Sequence, residues 1–143
     1  MSVFTRALAF ALLFTPGLVL AQSDGTTKPG VSLELNAVQD VEGACRFTFV
    51  AGNSTSTSID KAVFETVIFD TEGAVVRLSL FDFRALPEGR PRVRQFDVPG
   101  MACDLIGQAL INGTNSCIVN GAESGVCGDG LTLTSRITMK LLG

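Results

Sequence analysis

The feature that most constrains this chain is a strict alternation of apolar and polar residues in short segments separated by turn residues. Residues 31–38 place Val31, Leu33 and Leu35 on one side. Residues 131–141 repeat the pattern, with Leu131, Leu133, Ile137, Met139 and Leu141 on one side and Ser135 among them. A period of two is the signature of a half-buried β-strand, and no segment shows a convincing amphipathic helix. The pattern therefore predicts an all-β fold.

The other segments with strand character bring the total to about seven strands. They are residues 45–50, 59–69, 75–83 and 93–98, with 105–111 readable either as a strand or as a short helical turn. Turn signals between them include residues 70–73, 86–89, 112–113 and 120–121. Two half-apolar sheets must cover each other, so the expected fold is a β-sandwich, with a small barrel as the alternative.

The alternation slips inside residues 75–83. Val76, Leu78 and Leu80 share one face of this strand, whereas Phe81 and Phe83 lie on the other. We expect either a β-bulge near Leu80–Phe81 or a strand that is covered on both faces there.

Residues 1–21 have the features of a cleavable signal peptide. Arg6 gives a short basic region, residues 7–15 are apolar, and Val19 and Ala21 suit the −3 and −1 positions of a cleavage site. The alternative, an uncleaved anchor, is too short, because a spanning helix needs about 20 residues. We expect a flexible leader over 22–30 and a sandwich domain over 31–143. With no membrane span after cleavage, the expected location is periplasmic or secreted.

All four cysteines, Cys45, Cys103, Cys117 and Cys127, lie in the expected mature part. An even number in a small exported domain predicts two disulfides. A zinc site is the competing interpretation, but the sequence contains no Cys-x-x-Cys pair and no His. We favour the pairs Cys45–Cys103 and Cys117–Cys127, because the second closes a short segment with a turn at Asn120-Gly121.

Absent residue types limit the chemistry that the chain can support. With no His, the catalytic arrangements that need an imidazole are excluded. No motif predicts a catalytic residue, a metal site or a cofactor. The 14 acidic residues outnumber the 11 basic ones, so the net charge of −3 gives no overall attraction to nucleic acid.

The strongest local concentration of charge is a group of four arginines, Arg84, Arg90, Arg92 and Arg94. The last three are spaced for one face of a strand and could bind an anion or an anionic partner. The favoured alternative is an edge strand that charge and Pro91 protect from pairing. In a third interpretation the arginines pair with buried acids such as Asp82 or Glu65.

From Cys45 to Gly100 the order of signals resembles the FxLYD group of bacterial immunoglobulin-like domains. The matching segments are FTFVAGN, then FETVIFD with Phe69-Asp70 where that group has Tyr-Asp, the turn TEG, VVRLSL, and LPEG before a strand carrying Phe96. The chain departs from the group by lacking the Tyr and by adding four cysteines. The whole chain is also similar to small exported proteins of alphaproteobacteria. The resemblance implies an immunoglobulin-like β-sandwich of extracytoplasmic function, here with two disulfides, and supplies no active site.

Three hypotheses for function follow. The first is a non-enzymatic binding or accessory module whose partner is a protein or an anionic component of the envelope. The second is a structural subunit that assembles through an exposed strand edge. The third is a hydrolase that uses only carboxylates, because such pairs meet in space and not in sequence.

Overall fold

The computed structural model describes residues 27–143 and shows two β-sheets packed face to face, so the predicted all-β sandwich is confirmed. The predicted signal peptide, residues 1–21, lies outside the described residues. Gly30 already belongs to the hydrogen-bonded domain, because its amide donates to Ser54 Oγ and its carbonyl accepts from the Ser54 amide, each at 3.0 Å. Within residues 27–143 no helix has the length and apolar character that crossing a bilayer requires.

Within residues 27–143 nine strands make up the sandwich, joined by turns, loops and one short 3-10 turn at Cys103–Leu105. They are β1 (Val31–Val41), β2 (Ala44–Asn53), β3 (Ile59–Asp70), β4 (Val75–Leu86), β5 (Arg92–Pro99), β6 (Ile106–Val119), β7 (Ala122–Glu123), β8 (Thr132–Ser135) and β9 (Lys140–Leu142). The first sheet has the order β5-β2-β1-β8. The second has the order β4-β3-β6-β7, and β9 also pairs with β6.

Aromatic side chains from both sheets fill the core. Phe47 and Phe49 of β2 face Phe81 and Phe83 of β4, with ring centroids 5.4–6.3 Å apart across the sheets and steeply inclined planes. Edge-to-face packing is favourable for aromatic rings beyond the apolar area it buries. The alternation of β1 and β2 supplies the facing layer, in which Val31, Leu33 and Leu35 are fully buried.

The slip in the alternation of residues 75–83 has a different cause from either of the two we expected. The strand alternates without interruption from Leu78 to Phe83, and Phe81 and Phe83 point into the core. Leu78 and Leu80 lie on the outer face and are 59% and 56% exposed. The bulges lie on either side of this segment, at Val76 and Phe83, which have no partner in β3. The expected cover of the outer face is therefore wrong, because these leucines face solvent.

The turn expected at Asn112-Gly113 is wrong, because both residues lie within strand β6. The strand runs without a break from Ile106 to Val119, and Gly113 pairs with Glu65 of β3. The register shifts by one residue at Asn112 and again at Asn115, so the turn-forming residues are used as bulges. The 3-10 turn before β6 shows that both interpretations of residues 105–111 hold in part.

The segment that alternates most regularly, residues 131–141, is two strands and not one. Strand β8 pairs in parallel with β1 in the first sheet, and β9 pairs in parallel with β6 in the second. Ser135 ends β8 because its Oγ donates to the carbonyl of Met139 at 2.6 Å and accepts from the amide of Ile137 at 3.3 Å. The side chain thus replaces ladder bonds with local ones, and the chain crosses between the sheets.

Both predicted disulfides are confirmed. Cys45 bonds to Cys103 and Cys117 bonds to Cys127, and none of the described cysteines is free. The second bond holds the β6–β7 hairpin, in which Asn120 and Gly121 both have positive φ, 51° and 76°. Two consecutive positive φ angles belong to the type I′ turn that tight hairpins prefer.

The two disulfides should differ in their contribution to stability. Replacing Cys45 and Cys103 by Ala opens the longer loop and should lower the free energy of unfolding by about 4 kcal/mol, against just under ~3 kcal/mol for Cys117 and Cys127. Urea unfolding of both double variants measures the difference. A larger loss from the hairpin pair would show that native packing, and not loop entropy, sets the order.

Candidate functional site

The arginine group lies on one flank of the sandwich, where the edge strands β4 and β5 of the two sheets face each other. The rings of Phe81 and Phe96 close the gap between them, stacked 4.3 Å apart at an interplanar angle of 4°. Phe96 also packs against Phe49 and Phe83. We call this surface of β4 and β5 the arginine flank.

Two arginines connect the edge strands through the backbone. Arg94 of β5 donates from Nε to the carbonyl oxygen of Phe83 at 2.7 Å and from Nη2 to that of Ala85 at 3.2 Å. Arg77 of β4 donates in the other direction, from Nη2 to the carbonyl oxygen of Pro99 at 3.1 Å. A guanidinium has five donors in a rigid fork, which suits it to bridge two carbonyls that point into the gap between two sheets.

The bulge at Phe83 places the next residue, Arg84, in a left-handed conformation with φ of 60°. The Asp82 carboxylate stabilises this turn of the backbone, because its Oδ1 accepts from the Arg84 amide at 2.8 Å. Left-handed backbone is unfavourable for a residue with a Cβ and is normally left to glycine. The fold therefore carries a strained arginine at this point, with its side chain exposed.

The other two arginines are placed differently from each other. Arg92 begins β5 half-buried, on the same side of the strand as Arg94, Phe96 and Val98. Arg90 lies before the strand and is exposed. The prediction that Arg90, Arg92 and Arg94 share one face of a strand is therefore correct only for Arg92 and Arg94, which lie at the rim of the core. Arg90 lies outside the strand.

These guanidinium groups are close enough to affect one another. Burial lowers the pKa of Arg94 from its ordinary value, the charges of Arg84 and Arg92 lower it further, and Asp82 acts in the opposite direction. Within residues 27–143 the only salt bridge is Arg46–Asp97 on the outer face of the first sheet. The hydrogen bond from Arg46 lowers the pKa of Asp97 there.

The arginine flank therefore holds positive charge that no carboxylate of the described residues neutralises by direct contact. Glu65, one of the acids considered for pairing, instead accepts a hydrogen bond from Asn112. Asp82 accepts from a backbone amide and forms no ion pair. Of the side chains of Arg84, Arg90 and Arg92, the only hydrogen bond is a local one from Arg92 to the carbonyl of Pro91.

An open groove of about 530 Å³ runs along the arginine flank. Leu80, Asp82 and Arg84 form its β4 side, and residues 93–96 form its β5 side. Val93 is 60% exposed, so large apolar side chains stand beside the guanidinium groups on both strands. Such a surface offers planar donors to an oxyanion and apolar contact to whatever carries that anion.

Sequence reasoning missed Arg77 and the bulge that presents Arg84. Arg77 is seven residues from the nearest member of the arginine group in the chain, and only the pairing of β3 with β4 brings it to the same flank. The sequence Asp-Phe-Arg at 82–84 was the available signal, since an Asp side chain often bonds the amide two residues on.

Elsewhere on residues 27–143 there is no group of three or more residues arranged to hold a metal ion. Two further depressions, of about 300 and 480 Å³, lie near the Cys45–Cys103 disulfide and share Asp40 in their walls. That carboxylate already accepts the Cys103 amide at 2.7 Å. The arginine flank is therefore the better candidate site.

Comparisons with family models, with curated proteins and with solved structures give no match to this chain.

The strain at Arg84 can be measured by substitution. Arg84→Gly should raise the free energy of unfolding by up to about 1 kcal/mol, because glycine adopts positive φ without a Cβ penalty. Arg92→Gly is the matched control, since this strand residue has no positive φ, and it should lower stability by about 1 kcal/mol. Equal losses in both variants would show that Arg84 is not strained.

The bridge made by Arg94 should matter for stability as well as for charge. Arg94→Met keeps an unbranched apolar stem but leaves the Phe83 and Ala85 carbonyls without their donors, so unfolding should become easier by about 1–3 kcal/mol. Arg92→Met removes the same charge without removing an inter-sheet bond and should change stability by less than about 0.5 kcal/mol. Denaturant titration compares them, and similar values would contradict a structural bridge.

Proposed function

We propose that the chain is an exported, non-enzymatic binding module that holds an anionic partner on the arginine flank. The observation that carries the proposal is Arg84: the chain keeps a long cationic side chain where the backbone favours glycine, and no carboxylate of the described residues contacts it. Strained residues tend to concentrate where a protein binds or acts, because selection for stability alone would remove them.

The chemistry of the flank defines the class of partner. Arg84 and Arg92 carry donors that are not used between the sheets, and Arg94 adds its charge beside them. Guanidinium forks suit phosphate, sulfate and carboxylate groups, which can accept two parallel hydrogen bonds. Leu80 and Val93 add apolar contact at the rim of the groove. The expected partner is an anionic envelope component or an acidic protein surface.

The two disulfides support a location outside the cytoplasm, because such bonds persist in oxidising compartments. The periplasmic or secreted location and the signal peptide are therefore part of the proposal. So is membership of the immunoglobulin-like FxLYD group, which rests on the resemblance over residues 45–100.

Titration with heparin, a sulfated polysaccharide, tests the site by isothermal calorimetry. The mature protein should bind it, and the affinity should fall as the salt concentration rises from about 50 to about 200 mM, because exposed charges are screened over about 8 Å at physiological salt. The double variant Arg84→Gln with Arg92→Gln should lose at least about ten-fold in affinity, since each replaced charge removes a strong hydrogen bond.

Arg136→Gln with Lys140→Gln is the control, since it removes the same charge from the β8–β9 connection and β9, on the flank opposite the arginine flank. This control should lose little affinity. An equal loss of heparin affinity in both double variants would show that the binding depends on net charge and not on the arginine flank. The absence of heparin binding by the unsubstituted protein would contradict the proposed class of partner.

A further inference from the structure

The strand edges of this sandwich differ in how they are protected from pairing with another chain. An edge strand exposes unpaired amides and carbonyls, and proteins limit that hazard with short strands, charges, prolines and bulges. The edge strands β7, β8 and β9 are short, with two, four and three residues. Strand β5 begins after Pro91 and carries Arg92 and Arg94. Each of these edges has one of the usual protections.

Strand β4 is the least protected of the edges, because its bulges at Val76 and Phe83 leave residues 77–82 between them paired with β3 in unbroken register. It has 12 residues and ends the second sheet. Four of the seven large apolar side chains exposed on residues 27–143 belong to it: Val75, Val76, Leu78 and Leu80. Arg94 caps the carbonyls of Phe83 and Ala85, but no side-chain or loop hydrogen bond of the described residues reaches the backbone between Val75 and Phe81. This segment is a long, apolar and open edge.

We infer that the open edge of β4 pairs with the same edge of a second copy of the chain, antiparallel and centred on Leu78. A two-fold axis perpendicular to the sheet relates two copies of β4 as an antiparallel pair, so the interface is self-complementary and closed. In this register Leu78 lies opposite Leu78 of the second copy, and Val76 lies opposite Leu80. All three are on the exposed side of the strand, so the contact is apolar throughout its centre.

Charge supports the second copy as the occupant. The chain carries Arg84 just beyond one end of the open edge and the acidic turn with Asp70 and Glu72 just beyond the other. Antiparallel pairing centred on Leu78 brings Arg84 of each copy towards the acidic turn of the other, because Arg84 and Glu72 are each six residues from Leu78. Parallel pairing would instead bring like charges together. The arrangement of charge along β4 thus favours this orientation.

The bonds already present set the length of the paired segment. Arg94 occupies the Phe83 carbonyl at one end, and the turn that contains Gly73, with φ of 87°, closes the other. Between these limits lie residues 74–82, nine residues, which is within the ordinary length range of a strand. The pairing would join two copies of the second sheet into one continuous sheet and would satisfy the exposed backbone groups of both.

This inference goes beyond the proposed function, because it rests on the open backbone and apolar side chains of β4. Arg84 and Leu80 take part in both proposals, whereas Leu78 belongs only to the dimer and Arg92 only to the anion site. Analytical ultracentrifugation of the mature protein should show a monomer–dimer equilibrium and no larger species. Leu78→Lys should raise the dissociation constant of the dimer by at least about ten-fold, because it places two like charges opposite each other at the axis. Val93→Lys is the control, since Val93 is equally exposed but lies on β5, and it should leave the dimer unchanged.

A charge exchange tests the register independently of Leu78. Arg84→Glu should weaken the dimer, and adding Glu72→Arg in the same chain should restore it, because each copy then presents the reversed pair. A monomer at all concentrations, larger polymers, equal effects of Leu78→Lys and Val93→Lys, or failure of the exchange to restore the dimer would each overturn the inference. The Leu78→Lys variant should still bind heparin, and the Arg92→Gln variant should still form the dimer. The two measurements therefore show separately whether the dimer or the anion site is wrong.

Discussion

The flank where β4 meets β5 depends on one contact, the stacked rings of Phe81 and Phe96. The two edge strands belong to different sheets and share no ladder bonds, so only side chains can join them. The stack fills the gap, and Arg94 and Arg77 donate to backbone carbonyls across it. The bond from Arg94 to Phe83 is partly buried, where hydrogen bonds are stronger. Because Arg94 and Arg77 join the two edge strands, they have a structural role in the fold in addition to any role in binding.

The opposite flank is closed by the main chain itself. Ser135 stops β8 in the first sheet, and five residues later β9 begins in the second, so the chain covers the gap directly. Nearby, the Cys117–Cys127 bond fixes the hairpin that extends β6. The sandwich is thus asymmetric: one flank is sealed by covalent structure and the other by side chains. A binding or assembly surface can form more readily on the flank of β4 and β5, because single substitutions there change the surface without changing the path of the main chain.

The strand pattern and the cysteines could be predicted because each depends on local sequence. A period of two fixes which residues of a strand face the core, and a short loop with Asn120-Gly121 fixes the hairpin disulfide. The failures share one cause, which is that strand pairing is not local. Gly113 lies in a strand because β3 lies beside it, and the break at Ser135 depends on bonds made after the chain has turned. Arg77 joins the flank only through the same pairing.

The departures from local rules in this chain converge on β4. Its inner side obeys them, with Phe81 and Phe83 buried at strand spacing. Its outer side exposes leucines, and its far end holds an arginine in left-handed backbone stabilised by Asp82. An exposed leucine removes nothing from water in the monomer, and positive φ at arginine lowers stability, so neither feature helps a single copy to fold. Where independent departures of this kind gather on one strand while the other edges remain protected, the common explanation is contact with another molecule along that strand.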